Sequence, residues 1–181
     1  TYHLYGRYTQ SMTTKPEILD AARVVLRRGD ALTLDAVARE AGLTKPGLVH
    51  HFSSKEALSI AVVENVLESW ETELRRRAGE DSDPRTRLKT YVEYTLTTDL
   101  DASDLALMAD VRLRETLMET WLDRLEPWFG GDIAQHPQAR AARLIADGAW
   151  FNQSLGIITL APAEQDAILA IAVNLIDGAT E

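Results

Sequence analysis

Residues 33–58, TLDAVAREAGLTKPGLVHHFSSKEAL, decide the fold, because they read as a helix, a tight turn, a second helix and the opening of a third. Thr33 suits the N-cap of a short helix whose apolar positions Leu34, Val37, Ala38 and Ala41 fall on one side. Gly42 follows where a left-handed residue closes a helix without a Cβ penalty. Leu43 and Thr44 complete the turn, and Pro46 fits the first turn of the next helix, where a missing N–H costs nothing. Leu48 and Phe52, four apart, share that helix's inward face. Pro46, Gly47 and His50 lie opposite, with Val49 and His51 on the flanks. Such a small, open face is able to enter a DNA major groove. Ser53 and Glu56 have the spacing of a capping box for the third helix. Lys55, in its first turn, then combines a cation with free backbone N–H groups, as phosphate contacts require.

At these positions the chain resembles the TetR family of transcriptional regulators. The matching residues are Ile18, Ala21, Ala22 and Gly29, then Thr33, Val37, Ala38, Ala41 and Gly42, then His51, Phe52, Ser54, Lys55, Glu56 and Leu58. They cover about a quarter of the chain. Two positions depart from the pattern. Pro46 replaces a small residue, and Val49 replaces a tyrosine whose hydroxyl contacts phosphate. The resemblance implies DNA contacts from Thr33, Thr44, Lys45, Pro46, Gly47, Val49, His50, His51 and Lys55.

The 181 residues, 45% of them hydrophobic, are enough for one large or two small domains. With no cysteine, disulfides and thiolate metal sites are excluded. No apolar run is long enough to cross a bilayer, and the N-terminus lacks a basic-then-apolar signal pattern, so a soluble cytoplasmic protein is expected. Residues 1–12, TYHLYGRYTQSM, have no helical period and end like a protease-site scar; they are expected to be a leader outside the fold. The net charge of −9 argues against nucleic acid until it is divided. Residues 13–60 hold seven Lys or Arg against six Asp or Glu, a net of +1. Arg7 adds one more, and residues 61–181 hold the remaining −11. Local placement of charge, not its sum, sets a phosphate footprint.

The fold expected is all-α, with about nine helices. Thr14, Pro16 and Glu17 open the first, and Ile18, Ala22 and Val25 give its buried stripe. Ile60, Val63, Leu67, Trp70 and Leu74 keep a three-four spacing through one long helix, 54–78. Residues 79–84, GEDSDP, make the clearest linker. Further helices are expected at 85–99, 103–111, 113–129, 137–159 and 163–178. The organisation is thus a helix-turn-helix domain over 13–60 and a C-terminal domain over 61–181.

Residues 144–160 and 168–176 are apolar around more of the helix than one buried face requires. Deep burial within one chain explains this, and so does the two-fold four-helix interface that the resemblance implies. A helix-turn-helix needs a dimer to reach two half-sites about 34–36 Å apart, so the interface is preferred. Its expected residues are Leu144, Gly148, Phe151, Leu155, Ile168, Ile171 and Leu175, with Gly148, Ala149 and Gly156 allowing close approach. The resemblance also implies a small-molecule inducer pocket in the middle helices, where Trp70, Tyr91, Tyr94, Met108, Trp121, Trp128 and Trp150 concentrate. Thr95, Asn152 and Gln153 are its candidate polar handles. Aromatics at helical spacing are otherwise ordinary core. Glu93, Asp99, Asp110 and Asp147 favour either a cationic ligand or merely a solvated face.

Enzymatic signals are missing: there is no G-x-S-x-G elbow, phosphate-cradling glycine loop or H-E-x-x-H zinc helix. Adjacent His50 and His51 diverge by about 100° on a helix and cannot share a metal. His3 lies in the leader and His136 precedes Pro137 in a turn. No metal or cofactor is expected. The sequence reads as a ligand-responsive dimeric repressor of a palindromic operator on double-stranded DNA, with no membrane partner. The alternatives are a protein-interaction module with a degenerate helix-turn-helix, and an all-helical enzyme.

Overall fold

Ile18, Ala22 and Val25 lie fully or nearly buried along one stripe of α1 (Lys15–Arg27), and that stripe organises the N-terminal unit. The computed structural model describes residues 13–99 and 113–179, so the helix expected at 103–111 and Met108 fall outside the described residues. Within them the chain forms eight α-helices and no strand. The Glu17 carboxylate accepts from both the N–H and the hydroxyl of Thr14, which closes the start of α1 and holds that carboxyl below its ordinary pKa. Helices α2 (Leu34–Glu40) and α3 (Lys45–His51) pack on each other, and α2 also packs on α1. Val37, Ala38, Leu48 and Phe52 point into the small core they share with Leu58 and Val62. Arg28, just past α1, grips Glu40 through two hydrogen bonds of 2.7 and 3.2 Å, tying the ends of α1 and α2 together.

Helix α4 (Lys55–Ala78) runs for 24 residues and belongs to both halves of the molecule. Its first turns pack on α1, and its later turns pack on α5 (Pro84–Thr97) and α6 (Arg114–Phe129). A short 3₁₀ turn, Asp132–Gln135, then leads into α7 (Pro137–Ser154) and α8 (Pro162–Asp177). Helix α5 is central, touching α4, α6, α7 and α8, and its Leu88, Tyr91, Val92, Thr95 and Leu96 are all buried. Asp83 caps it by accepting from the N–H groups of Arg85 and Thr86 at 2.9 and 3.1 Å. Arg85 donates to the carbonyls of Ile176 and Ala179, tying the start of α5 to the end of α8.

Helix α7 ends earlier than the apolar pattern suggests, at Ser154 rather than residue 159. Gly156 takes φ +63°, its N–H reaches the Gln153 carbonyl, and the Ile157 N–H reaches that of Asn152. Those two bonds make a complete glycine stop, so the apolar residues after it continue as loop. Deep burial does not account for the apolar excess: Leu144 and Ile171 remain 65% and 57% exposed in the single chain. No helix among the described residues is long and apolar enough to cross a membrane.

Candidate functional site

Thr33 and Thr44 are structural before they are anything else. Each is an N-cap whose hydroxyl oxygen accepts a backbone N–H, from Ala36 at 3.1 Å and from Gly47 at 3.2 Å. Between them Gly42 takes φ +66°, and the N–H of Leu43 bonds the Ala38 carbonyl at 2.8 Å, fixing the turn. A side chain at Gly47 would press a Cβ to 3.3 Å from the Thr44 hydroxyl, which favours glycine there. The third helix is capped one residue later than the motif suggests. Ser54, not Ser53, accepts from the N–H of Ala57 at 3.0 Å, so α4 starts at Lys55 and no capping box with Glu56 forms.

With Leu48 and Phe52 turned inward, α3 presents Lys45, Pro46, Val49 and His50 to solvent. Gly47 and His51 are half-buried, and the two histidine rings meet edge to face at 5.7 Å. Helix α3 contains no acid, and Lys55 stands exposed just beyond it. Lys45 is exposed but already engaged: its ammonium sits 2.8 Å from Asp35 in the first turn of α2. Sequence spacing gives no sign of Asp35 at this face, because a contact ten residues apart across a turn has no sequence signature.

In the C-terminal half the structure brings Trp70, Tyr91, Tyr94, Trp121 and Trp150 together. Trp70 meets Tyr94, Trp121 and Trp150 edge to face at 5.0, 5.2 and 5.7 Å, while Trp121 and Trp150 stack at 5.1 Å. Tyr91 lies against Trp70 and Phe129. Trp128 instead lines a cleft of about 200 Å³ with Arg75, Glu80, Arg87 and Arg124. Two of the expected polar handles are already used by their own helices. The Thr95 hydroxyl is fully buried and bonds the carbonyls of Tyr91 and Val92, and the Asn152 amide donates to the Gly148 carbonyl at 2.6 Å. The third, Gln153, keeps a buried carbonyl oxygen without a hydrogen-bond partner, as do the Trp150 indole N–H and the Ser154 hydroxyl.

Two long-range pairs frame this cluster, and sequence spacing reveals neither. The Tyr91 hydroxyl donates to Asp147 at 2.7 Å; burial first, then the adjacent carboxylate, raises its pKa well above the ordinary tyrosine value. Asp147 also pairs with Arg143, whose guanidinium lies 3.6 Å from the Phe129 ring centre. Asp147 is therefore half-buried and already engaged by Tyr91 and Arg143. On the other side Glu71 of α4 accepts from Arg124 of α6 at 2.5 and 3.0 Å and from Arg75 at 3.2 Å. The Arg124 hydrogen bond is the main reason its carboxyl stays below the ordinary glutamate value despite burial. Among the described residues no three His, Cys, Asp or Glu side chains gather at a metal-sized site.

The outer face of α7 and α8 carries Leu144, Phe151, Leu155 and Ile171 exposed, with Ile168 and Leu175 half-buried. Leu144, Gly148, Ile158 and Ile168 border an open apolar groove of about 240 Å³. A Cβ added at Gly148 would meet nothing within 4 Å, so this glycine serves no packing inside the chain. Gly156 lies outside the helix altogether and does not bring helices together.

Residues 18–62 match the sequence model of the tetR family of bacterial regulatory proteins, and residues 85–177 match that of the tetracyclin repressor-like C-terminal domain. Over 77 residues the chain is 35% identical to the HTH-type transcriptional activator FasR of Mycolicibacterium smegmatis, covering 42% of this chain and 35% of that one. Over 63 residues it is 38% identical to the HTH-type transcriptional regulator RutR of Escherichia coli, covering 35% and 29%. The matches thus span about a third of these relatives' length. Among solved structures, the fatty acid degradation regulator FadR of Bacillus halodurans superimposes with a TM-score of 0.60 at 17% identity, covering 93% of this chain and all of that one. A TetR-like regulator from Rhodococcus gives 0.60 at 18% identity, covering 90% and 95%. At such identities these two likenesses concern the fold alone.

Proposed function

Because the chain belongs to the TetR family of bacterial regulatory proteins, whose members are DNA-binding transcriptional regulators and not enzymes, we propose that it is a cytoplasmic dimeric repressor released from its operator by a small molecule. The observation that carries this reading is the outer face of α3. It is exposed, free of acid and fixed at its start by the Thr44 cap and at its end by the Phe52 N–H bonded to the Leu48 carbonyl. A backbone so fixed presents Pro46, Val49 and His50 to base edges, while Lys55 at the start of α4 offers a cation and helix N–H groups to phosphate. Selection from a random duplex library, and gel shift on the DNA upstream of the chain's own gene, test it. A sequence-preferring complex is expected, and sequence-blind or absent binding would sink the reading.

The exposed apolar face of α7 and α8 supports assembly as a two-fold pair, since a patch of large aliphatic side chains in water marks an interaction surface. Two copies joined there present two reading helices, and a palindrome matches that symmetry. The aromatic cluster supports the ligand site. Its rings touch one another, so an apolar or aromatic ligand entering between them must part at least one pair. Helix α4 carries Trp70 in that cluster and the α1–α3 unit at its other end, so a shift of one reaches the other. Binding of DNA and ligand then oppose each other through one two-state element.

A further inference from the structure

Val49 is 40% exposed, and every other large apolar side chain as exposed among the described residues lies at Leu122 or beyond. A single exposed valine is ordinary on a protein surface. Its place on α3 gives this one meaning. The core beneath is filled by Leu48 and Phe52, both buried, so Val49 is not needed to seal it. Pro46, one turn earlier on the same side, is exposed as well, and the two make an apolar edge between the exposed Lys45 and His50. Valine has no donor or acceptor, so it holds no phosphate and reads neither the N7 nor the O6 of guanine. The apolar feature that a base pair shows in the major groove is the C5 methyl group of thymine. A β-branched side chain in a helix is also stiff about χ1, so its methyl groups stand in fixed positions before contact.

We propose that Val49 is a specificity-determining residue that reads the C5 methyl of one thymine in each operator half-site. The inference rests on the operator-reading function above and adds to it a required base pair. Operators are first selected from a random duplex library with the full chain. Each half-site thymine is then replaced singly by deoxyuridine, which keeps every hydrogen-bonding group and removes only the methyl. Wild-type protein is expected to lose about fourfold in affinity per half-site at one position, the value of one buried methyl-sized group. Val49→Ala, an exposed change to a good helix former, is expected to be indifferent to the same replacement. At that position 5-methylcytosine is expected to bind better than cytosine with wild type, and equally with Val49→Ala. If the wild type enriches a sequence but no thymine shows a deoxyuridine effect that depends on Val49, this inference is overturned and the regulator reading stands. If it enriches no sequence, both are overturned.

Discussion

Lys45 occupies the first position of α3, where the positive end of the helix disfavours a cation, and Asp35 takes up its ammonium at 2.8 Å. Both partners are more than half exposed, so the pair contributes little to folding. Its effect falls on DNA, because a phosphate must compete with Asp35 for that lysine. Asp35→Asn removes the competitor and a negative charge beside the duplex. Binding is expected to tighten for specific and random duplexes alike, with a salt dependence steeper by about one unit. An unchanged slope would contradict it. Lys55→Ala is expected to do the reverse, weakening all sequences equally and flattening the slope by about one unit. His50→Ala is a different case: it is expected to relax preference at one base pair, at roughly 1–3 kcal/mol, as base readout requires. Repeating the site selection with each variant separates a phosphate contact from a base contact.

Between elements, the consequential joint is Glu71 on α4 held by Arg124 on α6. Glu71→Gln is expected to cost roughly 1–3 kcal/mol at neutral pH, measured by urea unfolding, because charge-assisted hydrogen bonds to a buried side chain are lost. The wild-type carboxyl titrates below its ordinary value of 4.5. Its stabilisation is therefore complete above that value and is lost as the pH falls through the lower, folded-state pKa. The gap between wild type and Glu71→Gln should narrow below pH 4.5; a constant gap would show that Glu71 is not ionised in the fold. Elements of this kind mark the limit of what a sequence discloses. Thr14, Thr33 and Gly42 announce helix ends because caps and left-handed stops act over a few residues. Ser53 and Ser54 offer equivalent hydroxyls, and only the path of the chain after Phe52 selects the second. Thr95 and Asn152 read as free polar handles because bonding back to the preceding turn leaves no trace in composition. Tyr91–Asp147 and Glu71–Arg124 are separated by 56 and 53 residues, so packing alone creates them.

For the whole molecule, the exposed face of α7 and α8 predicts the state of assembly. The wild type is expected to scatter light as a dimer at micromolar concentration. Leu155→Arg or Leu175→Glu is expected to give monomers or insoluble protein, since either change buries an unpaired charge at the proposed contact. A monomeric wild type would remove the interface. Ligand and operator are expected to oppose each other by roughly 5- to 150-fold, equally in both directions. Trp70, Trp121 and Trp150 share the aromatic cluster, so their fluorescence is expected to follow the ligand, and added operator should shift that titration upward. A tight ligand indifferent to operator would refute induction. On the proposed reading, the joint at Glu71 is also a fulcrum, and it is set off-centre on its beam. From Glu71 the arm to Lys55 is about 24 Å and the arm to Ala78 about 10 Å, at 1.5 Å per residue. Displacing the short arm by about 1 Å therefore swings the DNA end by roughly 2 Å, by similar triangles on a rigid helix. Two beams swinging in opposite senses would change the span between reading heads by roughly 4 Å, more than the 3.4 Å rise of one base pair. On that reading, a side-chain-sized push on the short arm, where Arg77 lies over Tyr94 of the aromatic cluster, becomes a one-base-pair error of register on DNA.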